Sequence, residues 1–588
     1  MGTLYPLVMG REAVVSAEHY LSASAGARIF ARGGNAIDAA VAATLVEGIV
    51  NPHMHTIGGE APMLIYAAKA GRVVAINGNM IAPARATIAE YRARGIDLIP
   101  AHGLMAAGVP AALDALVTAL AEFGTRSFAE VAEPALALAE DGFPMHVGLA
   151  GEEADDDGNY AGAGASIRAF EKVFRTRYPS TARIYMPDGK VPRPGDIIRN
   201  PALGNFFRRL LDAEAGARAR GREAALQAVR DRFYRGDIAR EIAGWSEANG
   251  GLLAESDLAA FATRIEKPVS ADYRGVTVFK CGPWSQGPVF LQQLRILEGF
   301  DLRAMGHNSA DYVHTVIEAA KLAFADREAY YADPEFTPVP MEALLSRQYA
   351  EIRRALIDPR HASRDQRPGD PVAMRPERGG DAAASRSWGQ GTIHVTACDR
   401  AGNLIAITAS GAWIPTSPVM ESLGFPLGTR MQTFYLDERH PNALMPGKRP
   451  RTTLSPSLAM CGGEPHMAFG TPGGDQQDQW TLQFFLNVAD FGMDLQQAIE
   501  APKFSTAHFP STFYPHNAMP AVVRAEERIA SEVRSELAAR GHKIEVRPPW
   551  SEGHVLAVSI DRARGLLRGG CDPRGQAHPV MAAQAIGW

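Results

Sequence analysis

The run Gly391-Thr392-Ile393-His394-Val395-Thr396, continuing into Ala397-Cys398-Asp399-Arg400-Ala401-Gly402-Asn403, holds the residue with the most chemistry in it. A mid-chain threonine hydroxyl is a poor nucleophile. Cutting the peptide bond ahead of Thr392 would free an α-amino group with a pKa near ~8, close enough to neutrality to take the hydroxyl proton of the same residue. Nucleophile and base would then be one side chain and its own terminus. The same stretch also reads as an ordinary half-buried strand, alternating through Thr-Ile-His-Val-Thr and ending in an Asp-Arg-Ala-Gly-Asn turn. The rest of the chain must decide between the two.

Other reactive constellations are weaker. Ser285 in Gly282-Pro283-Trp284-Ser285-Gln286-Gly287 looks like a nucleophile elbow, but the first glycine is one residue too far away, and Pro283 and Trp284 suit a pocket-lining loop better than a strained strand-to-helix turn. His53 and His55 form a His-x-His without a third ligand at metal-site spacing. Lys448 is followed by Arg449 where a phosphate loop needs Ser or Thr. No metal and no cofactor is expected.

The elements that would carry Thr392 are legible in outline. Gly33-Gly34-Asn35 opens a small-residue helix in which Ile37, Ala40, Val41, Thr44 and Leu45 share a face, and Pro52 stops it. Past Gly58-Gly59, Met63 to Tyr66 and Val73 to Ile76 read as a hairpin. Helical spacing dominates from Ala106 to Leu138, Pro201 to Gly244, Ser309 to Tyr331 and Met341 to Ile357. Strand patterns return at Leu404 to Thr408, Ser457 to Met460 and Val555 to Ser559. Between them, residues 358–391 are rich in Pro, Gly, Asp, Arg and Ser and poor in large apolar side chains, which predicts a mobile linker ending at Gly391 and Thr392.

Composition narrows the partners. A 588-residue chain with 46% hydrophobic and 21% charged residues is an ordinary globular protein able to bury a large core. A net charge of −5 offers no electrostatic footprint for nucleic acid, and no basic block suggests a membrane surface. The four cysteines, Cys281, Cys398, Cys461 and Cys571, show no Cys-x-x-Cys pairing and read as buried free thiols. The N-terminal residues lack a basic stretch leading an apolar core, and the expected compartment is the cytoplasm.

Taken together, the motifs resemble the γ-glutamyltransferase family of N-terminal nucleophile (Ntn) hydrolases, from about Arg11 to Gly587. The likeness rests on Gly33-Gly34-Asn35-Ala36-Ile37-Asp38-Ala39-Ala40, Pro52-His53, Ile57-Gly58-Gly59, Ile296 to Leu302, Glu318 to Arg327, Pro446-Gly447-Lys448-Arg449-Pro450, Gly470-Thr471-Pro472-Gly473-Gly474-Asp475, Asp490 to Asp494 and Asp572-Pro573-Arg574. Each is weak alone; their order and spacing are specific.

The resemblance implies an α+β fold, a four-layer αββα sandwich with additional helices. It implies a precursor that cuts itself between Gly391 and Thr392 into a large chain, 1–391, and a small chain, 392–588, interleaved in one domain. A dimer of that two-chain unit is compatible with it. Thr392 would be the nucleophile and, through its freed amine, the base. Gly473 and Gly474, lacking Cβ atoms, would let backbone N–H groups close on the oxyanion. Ser410 stands where many members carry a threonine that orients the nucleophile, and Thr452-Thr453 where they carry two serines that bind the substrate's carboxylate end.

Two departures bear on substrate. Asn79 replaces the arginine that holds the α-carboxylate of a γ-glutamyl group, and Thr433 replaces the aspartate that holds its α-ammonium. A charge-assisted contact contributes ~1.5–3 kcal/mol, so losing two weakens glutamyl recognition severely unless Arg430 or Arg85 substitutes. The segment from Tyr435 to Gly447 is also shorter than the lid-bearing one of secreted transpeptidases. The expected activity is hydrolysis of a small acyl amide, γ-glutamyl or oxamate-like, as in the cytoplasmic amidohydrolase-like branch. A true γ-glutamyl transpeptidase, or an uncleaved scaffold of the same fold, is the alternative.

Overall fold

The computed structural model describes residues 2–151, 165–377, 391–574 and 582–588. Two seven-stranded sheets form its centre. The sheet that carries Thr392 runs in the order Gln584–Gly587, Ala13–Ala17, Thr392–Asp399, Leu404–Ser410, Met63–Ala67, Arg72–Asn77 and Arg264–Glu266. The second runs Val8–Gly10, Leu566–Gly570, Leu556–Asp561, Glu464–Gly470, Ser457–Cys461, Val276–Lys280 and Val269–Tyr273. All the pairings in these two sheets are antiparallel.

Three apolar interfaces make the four layers. Val14, Leu64, Cys398, Ala406, Leu458, Ala468 and Val558 pack between the sheets. On the outer face of the Thr392 sheet, Ile393, Val395 and Ala397 join a core with the helices Tyr20–Ala31, Ala36–Val50, Ala112–Phe123 and Phe128–Glu140. Beyond the second sheet, Ala459, Met467, Phe469 and Ala557 meet the helices Pro288–Leu297, Ala310–Tyr330 and Gln477–Ala489. Strand alternation explains how one strand serves two layers: odd-numbered residues of Thr392–Asp399 face the helices, while Thr396 bonds across to Ala468 O at 3.3 Å. The αββα sandwich expected from the resemblance is the fold.

The helix Ala36–Val50 is buried along its whole length, not on one face only. Its alanines let the sheet approach closely, and its start is fixed twice. Asn35 and Asp38 form a reciprocal capping box, and Ala36 N–H donates 2.9 Å to Asp399, at the far end of the Thr392 strand.

The predicted strands and helices lie where the sequence places them, with boundaries shifted by a few residues, apart from two differences. The expected helix from Met341 to Ile357 is two short ones, Met341–Leu344 and Arg347–Arg354, because Ser346 caps the second and interrupts the first. The first half of the expected linker is pinned: Asp358 O accepts from His314 at 2.7 Å, Gly369 N–H donates to Asp326 at 2.8 Å, and Arg353 bonds Arg367 O at 2.5 Å. Buried polar groups of the body hold the backbone there in place of apolar packing. Residues 378–390 of that linker lie outside the described residues. Cys281, Cys398 and Cys571 are buried free thiols as expected, but Cys461 is exposed at the end of its strand.

Strands from both sides of Gly391 are combined within each of the two sheets. Thr392–Asp399 and Leu404–Ser410 lie between Ala13–Ala17 and Met63–Ala67, each hydrogen-bonded to an N-terminal neighbour. A break at Gly391 would therefore leave the two pieces held together by sheet ladders and shared cores.

Candidate active site

Thr392 opens an interior strand of its sheet and is 1% exposed. The antiparallel register sets it opposite Ser410, the last residue of the neighbouring strand, and their hydroxyl oxygens are 3.2 Å apart. Ser410 Oγ–H donates 2.7 Å to Gly391 O, the carbonyl just ahead of Thr392. Trp413 Nε1–H, buried below the strand end, is shared between Gly391 O at 2.5 Å and Met54 O at 2.8 Å. Gly391 is itself required: a Cβ there would fall 2.5 Å from Met54 Sδ and 2.7 Å from His53 O.

Arg430 comes to this group from the far side. Its Nη2 donates 2.8 Å to Ser410 Oγ, its Nε donates 2.5 Å to Glu60 Oε1, and both members of this ion pair are fully buried. The guanidinium lies 4.9 Å over the Trp413 ring and 5.3 Å over Phe513. Glu60 is set by backbone pairing with Ser410, N–H to O at 2.9 Å in both directions. Burial pushes the Glu60 carboxyl up from its usual range, and Arg430 opposes that push. Arg430 Nη1 and Glu60 Oε2 are buried with no partner among the described residues.

Gly473 and Gly474 stand at the turn from the strand Glu464–Gly470 into the helix Gln477–Ala489, with φ of +123° and +58°, values that favour glycine. Phe513 lies against Gly474 on one side and Arg430 on the other, linking this turn to the Thr392 group. Gln286 connects the turn to the threonine pair: its Nε2 donates to Gly474 O at 3.1 Å and its N–H to Thr452 O at 2.8 Å, while its Oε1 accepts from Arg327 Nη1 at 3.2 Å. Thr452 Oγ1 accepts weakly from Leu454 N–H at 3.3 Å, and Thr453 Oγ1 is buried without a partner among the described residues.

The remaining sequence-based candidates take other positions. Asn79 Nδ2 donates 2.6 Å to Pro450 O, so this side chain holds the segment leading to Thr452, while its Oδ1 has no partner among the described residues. Thr433 turns its hydroxyl back onto Arg430 O at 3.0 Å. Arg85 commits its guanidinium to Leu252 O and Leu253 O and is 46% exposed, so it does not stand in for the missing clamp. Arg430 is no solvated loop arginine: it is buried and already paired. His55 faces Ser410 O through Nδ1 at 3.1 Å, which makes that nitrogen the protonated one, and burial lowers its pKa to about 4. Among the described residues the one His/Glu group with metal-ligand separations, His314, Glu318 and His542, lies elsewhere, and its Glu318 is already bonded to Lys321.

Glu60, Trp413 and Phe513 escaped sequence reasoning. Glu60 follows the Gly58-Gly59 motif and Trp413 follows Ser410 by three residues, but neither position signals its partner.

A family model for gamma-glutamyltranspeptidase matches residues 22–582. The chain belongs to the γ-glutamyltransferase family. It is 32% identical to the glutathione hydrolase-like YwrD proenzyme of Bacillus subtilis over 97% of this chain and 99% of that protein. It is likewise 32% identical to the acylase ACY 1 proenzyme of Pseudomonas sp. strain SE83, over 98% and 95%. The solved structure of LmbA2991HD superposes with a TM-score of 0.91 at 41% identity, covering all of both chains. This γ-glutamyltransferase-family protein is thus an Ntn-fold enzyme whose relatives are named as proenzymes with hydrolase or acylase activity.

Proposed function

We propose that this family member matures by cleavage between Gly391 and Thr392, into pieces 1–391 and 392–588, and then hydrolyses a small acyl amide through an ester on Thr392. The observation that carries the reading is the hydroxyl of Thr392 held at the strand end, 3.2 Å from Ser410 Oγ, with the carbonyl ahead of it already engaged by two donors. In the mature enzyme the freed Thr392 amine takes the hydroxyl proton, Ser410 orients the hydroxyl, and N–H groups at Gly473 and Gly474 receive the oxyanion. Water then resolves the ester.

The polar environment favours a short, oxygen-rich acyl group over a γ-glutamyl head. A glutamyl zwitterion needs a free cation and a free anion, yet the charge of Arg430 is met by Glu60, and the hydroxyl of Thr433 is used by the Arg430 carbonyl. What remains unpartnered on these candidate side chains, among the described residues, is Arg430 Nη1, Glu60 Oε2, the Thr453 hydroxyl and the Asn79 carbonyl oxygen. An oxamate-like acyl amide, which carries adjacent oxygens and an N–H, offers partners to donors and acceptors alike. Steady-state kcat/KM for γ-glutamyl anilide, oxamate anilide and longer N-acyl anilides tests this. The oxamate-like substrate is expected to lead; a glutamyl anilide turned over more efficiently would return the transpeptidase reading.

A further inference from the structure

Ser410 stands between the oxygen that attacks and the oxygen that would become negative when the chain cuts itself. With its proton on Gly391 O at 2.7 Å, its lone pairs face the Thr392 hydroxyl at 3.2 Å and Arg430 Nη2 at 2.8 Å. A guanidinium donates and does not accept, so Ser410 Oγ is the acceptor open to the Thr392 proton. On Gly391 O the donors among the described residues are Ser410 and Trp413, and neither Gly473 nor Gly474 is one of them.

We propose that the precursor has its own maturation apparatus, separate from the Gly473–Gly474 turn: Ser410 relays the proton, Trp413 Nε1–H stabilises the negative charge that builds on Gly391 O until the relayed proton reaches it, and the buried Glu60–Arg430 pair positions both. The proposal rests on the reading of Thr392 as the nucleophile. Thr392 Oγ1 bonds to the carbonyl carbon of Gly391 while its proton passes to Ser410 Oγ and the Ser410 proton passes to Gly391 O. The C–N bond between Gly391 and Thr392 then breaks, and the proton on Gly391 O returns through Ser410 to the departing nitrogen. An ester of Gly391 on Thr392 Oγ1 and a free amine result. Solvent water hydrolyses the ester, leaving a carboxylate on Gly391 and restoring the Thr392 hydroxyl. No outside base is needed for the acyl shift, because the proton circulates within the group.

Arg430 fits a positioning role on two counts. Its Nη2 fixes the lone pair of Ser410 that is not used in the relay, and its plane covers the Trp413 ring at 4.9 Å, holding the indole edge toward Gly391 O. Trp413 is 1% exposed, so its N–H is shielded from solvent, and the hydrogen bond it shares between Met54 O and Gly391 O shifts toward Gly391 O as charge builds there.

Cell-free synthesis of the full chain gives precursor at time zero, and denaturing gels with intact-mass measurement then time its conversion to pieces 1–391 and 392–588. Removing one oxyanion donor costs ~100-fold or more in comparable sites, so Trp413→Phe should cleave about that much more slowly. Ser410→Ala should be slower still, and Ser410→Thr, which keeps a hydroxyl, should recover most of the rate. Thermal unfolding of each precursor checks that it is folded. If Trp413→Phe does not fold, benzothienylalanine at position 413 keeps the ring shape and removes only the N–H. Wild-type cleavage rates in folded Trp413→Phe or benzothienylalanine protein, or in Ser410→Ala, would overturn the assignment and leave Thr392 as nucleophile untouched. A wild-type chain that never cleaves would instead overturn the functional reading on which it rests.

Discussion

At the scale of single residues, the site is a chain of contacts in which each group depends on the next. Thr392 is aligned by Ser410, Ser410 by Arg430, and Arg430 by Glu60. The last link is the most costly to lose, since a buried cation without its anion destabilises by roughly 3–5 kcal/mol. Glu60→Gln keeps the shape and one acceptor but removes the charge. Urea unfolding of the precursor should show a loss of that order together with slower cleavage; a midpoint unchanged from wild type would mean that the pair is not the anchor described here. Thr392 and the paired glycines were named from the sequence through the order and spacing of the family motifs, since the local pattern at Thr392 is equally that of a half-buried strand and a Gly-Gly pair alone is equally a tight turn. The Glu60–Arg430 pair was not, since its members are 370 positions apart and only the sheet brings them together. The same reason explains why Arg430 and Arg85 both read as replacements for the missing arginine clamp.

At the scale of elements, the position of Thr392 is inherited from the strand Thr392–Asp399 and the helix Ala36–Val50 tied to its far end. Asn35 Oδ1 accepts from Ile37 and Asp38 N–H groups, and its Nδ2 donates 2.7 Å to Phe123 O. Asn35→Ala removes a cap worth ~1–2 kcal/mol and should lower stability by that amount without changing the identity of the cleavage site. Chemical denaturation with N-terminal sequencing of the small piece checks both statements. The small-residue helix and its capping motif were readable from Gly33-Gly34-Asn35-Ala36 onward. The pinned segment 358–377 was not, because its apolar poverty suggested mobility while its backbone is held by buried acidic and basic groups of distant helices.

At the scale of the molecule, the interleaved sheets make one cooperative body of the pieces on either side of Gly391, and its interior carries many neutral imidazoles. Burial lowers His55 and His146 to about 4 and His394 and His508 to about 3. The unfolded chain binds protons at these groups near pH 6.5 and the folded one does not. Their contribution to stability is therefore complete above pH 6.5 and is lost as pH falls toward 4, by up to about 3 kcal/mol for a shift like that of His55. Glu47 and Glu552, raised to about 7 by burial, act in the opposite sense: they are protonated when folded, and their contribution is lost as pH rises through 7. The imidazoles are more numerous, so the unfolding temperature should fall steadily from pH 6.5 to 4; a flat profile across that range would mean that these histidines are hydrated in solution.

The most direct measurement is on the liberated terminus itself. Mature protein, quenched in acid within seconds of mixing with an oxamate anilide and digested, should yield an N-terminal peptide beginning at Thr392 that carries the acyl group as an ester, and the Thr392→Ala precursor should remain one uncleaved, inactive chain. Turnover by protein with an intact bond between Gly391 and Thr392, or an acyl adduct on any other residue, would contradict the account.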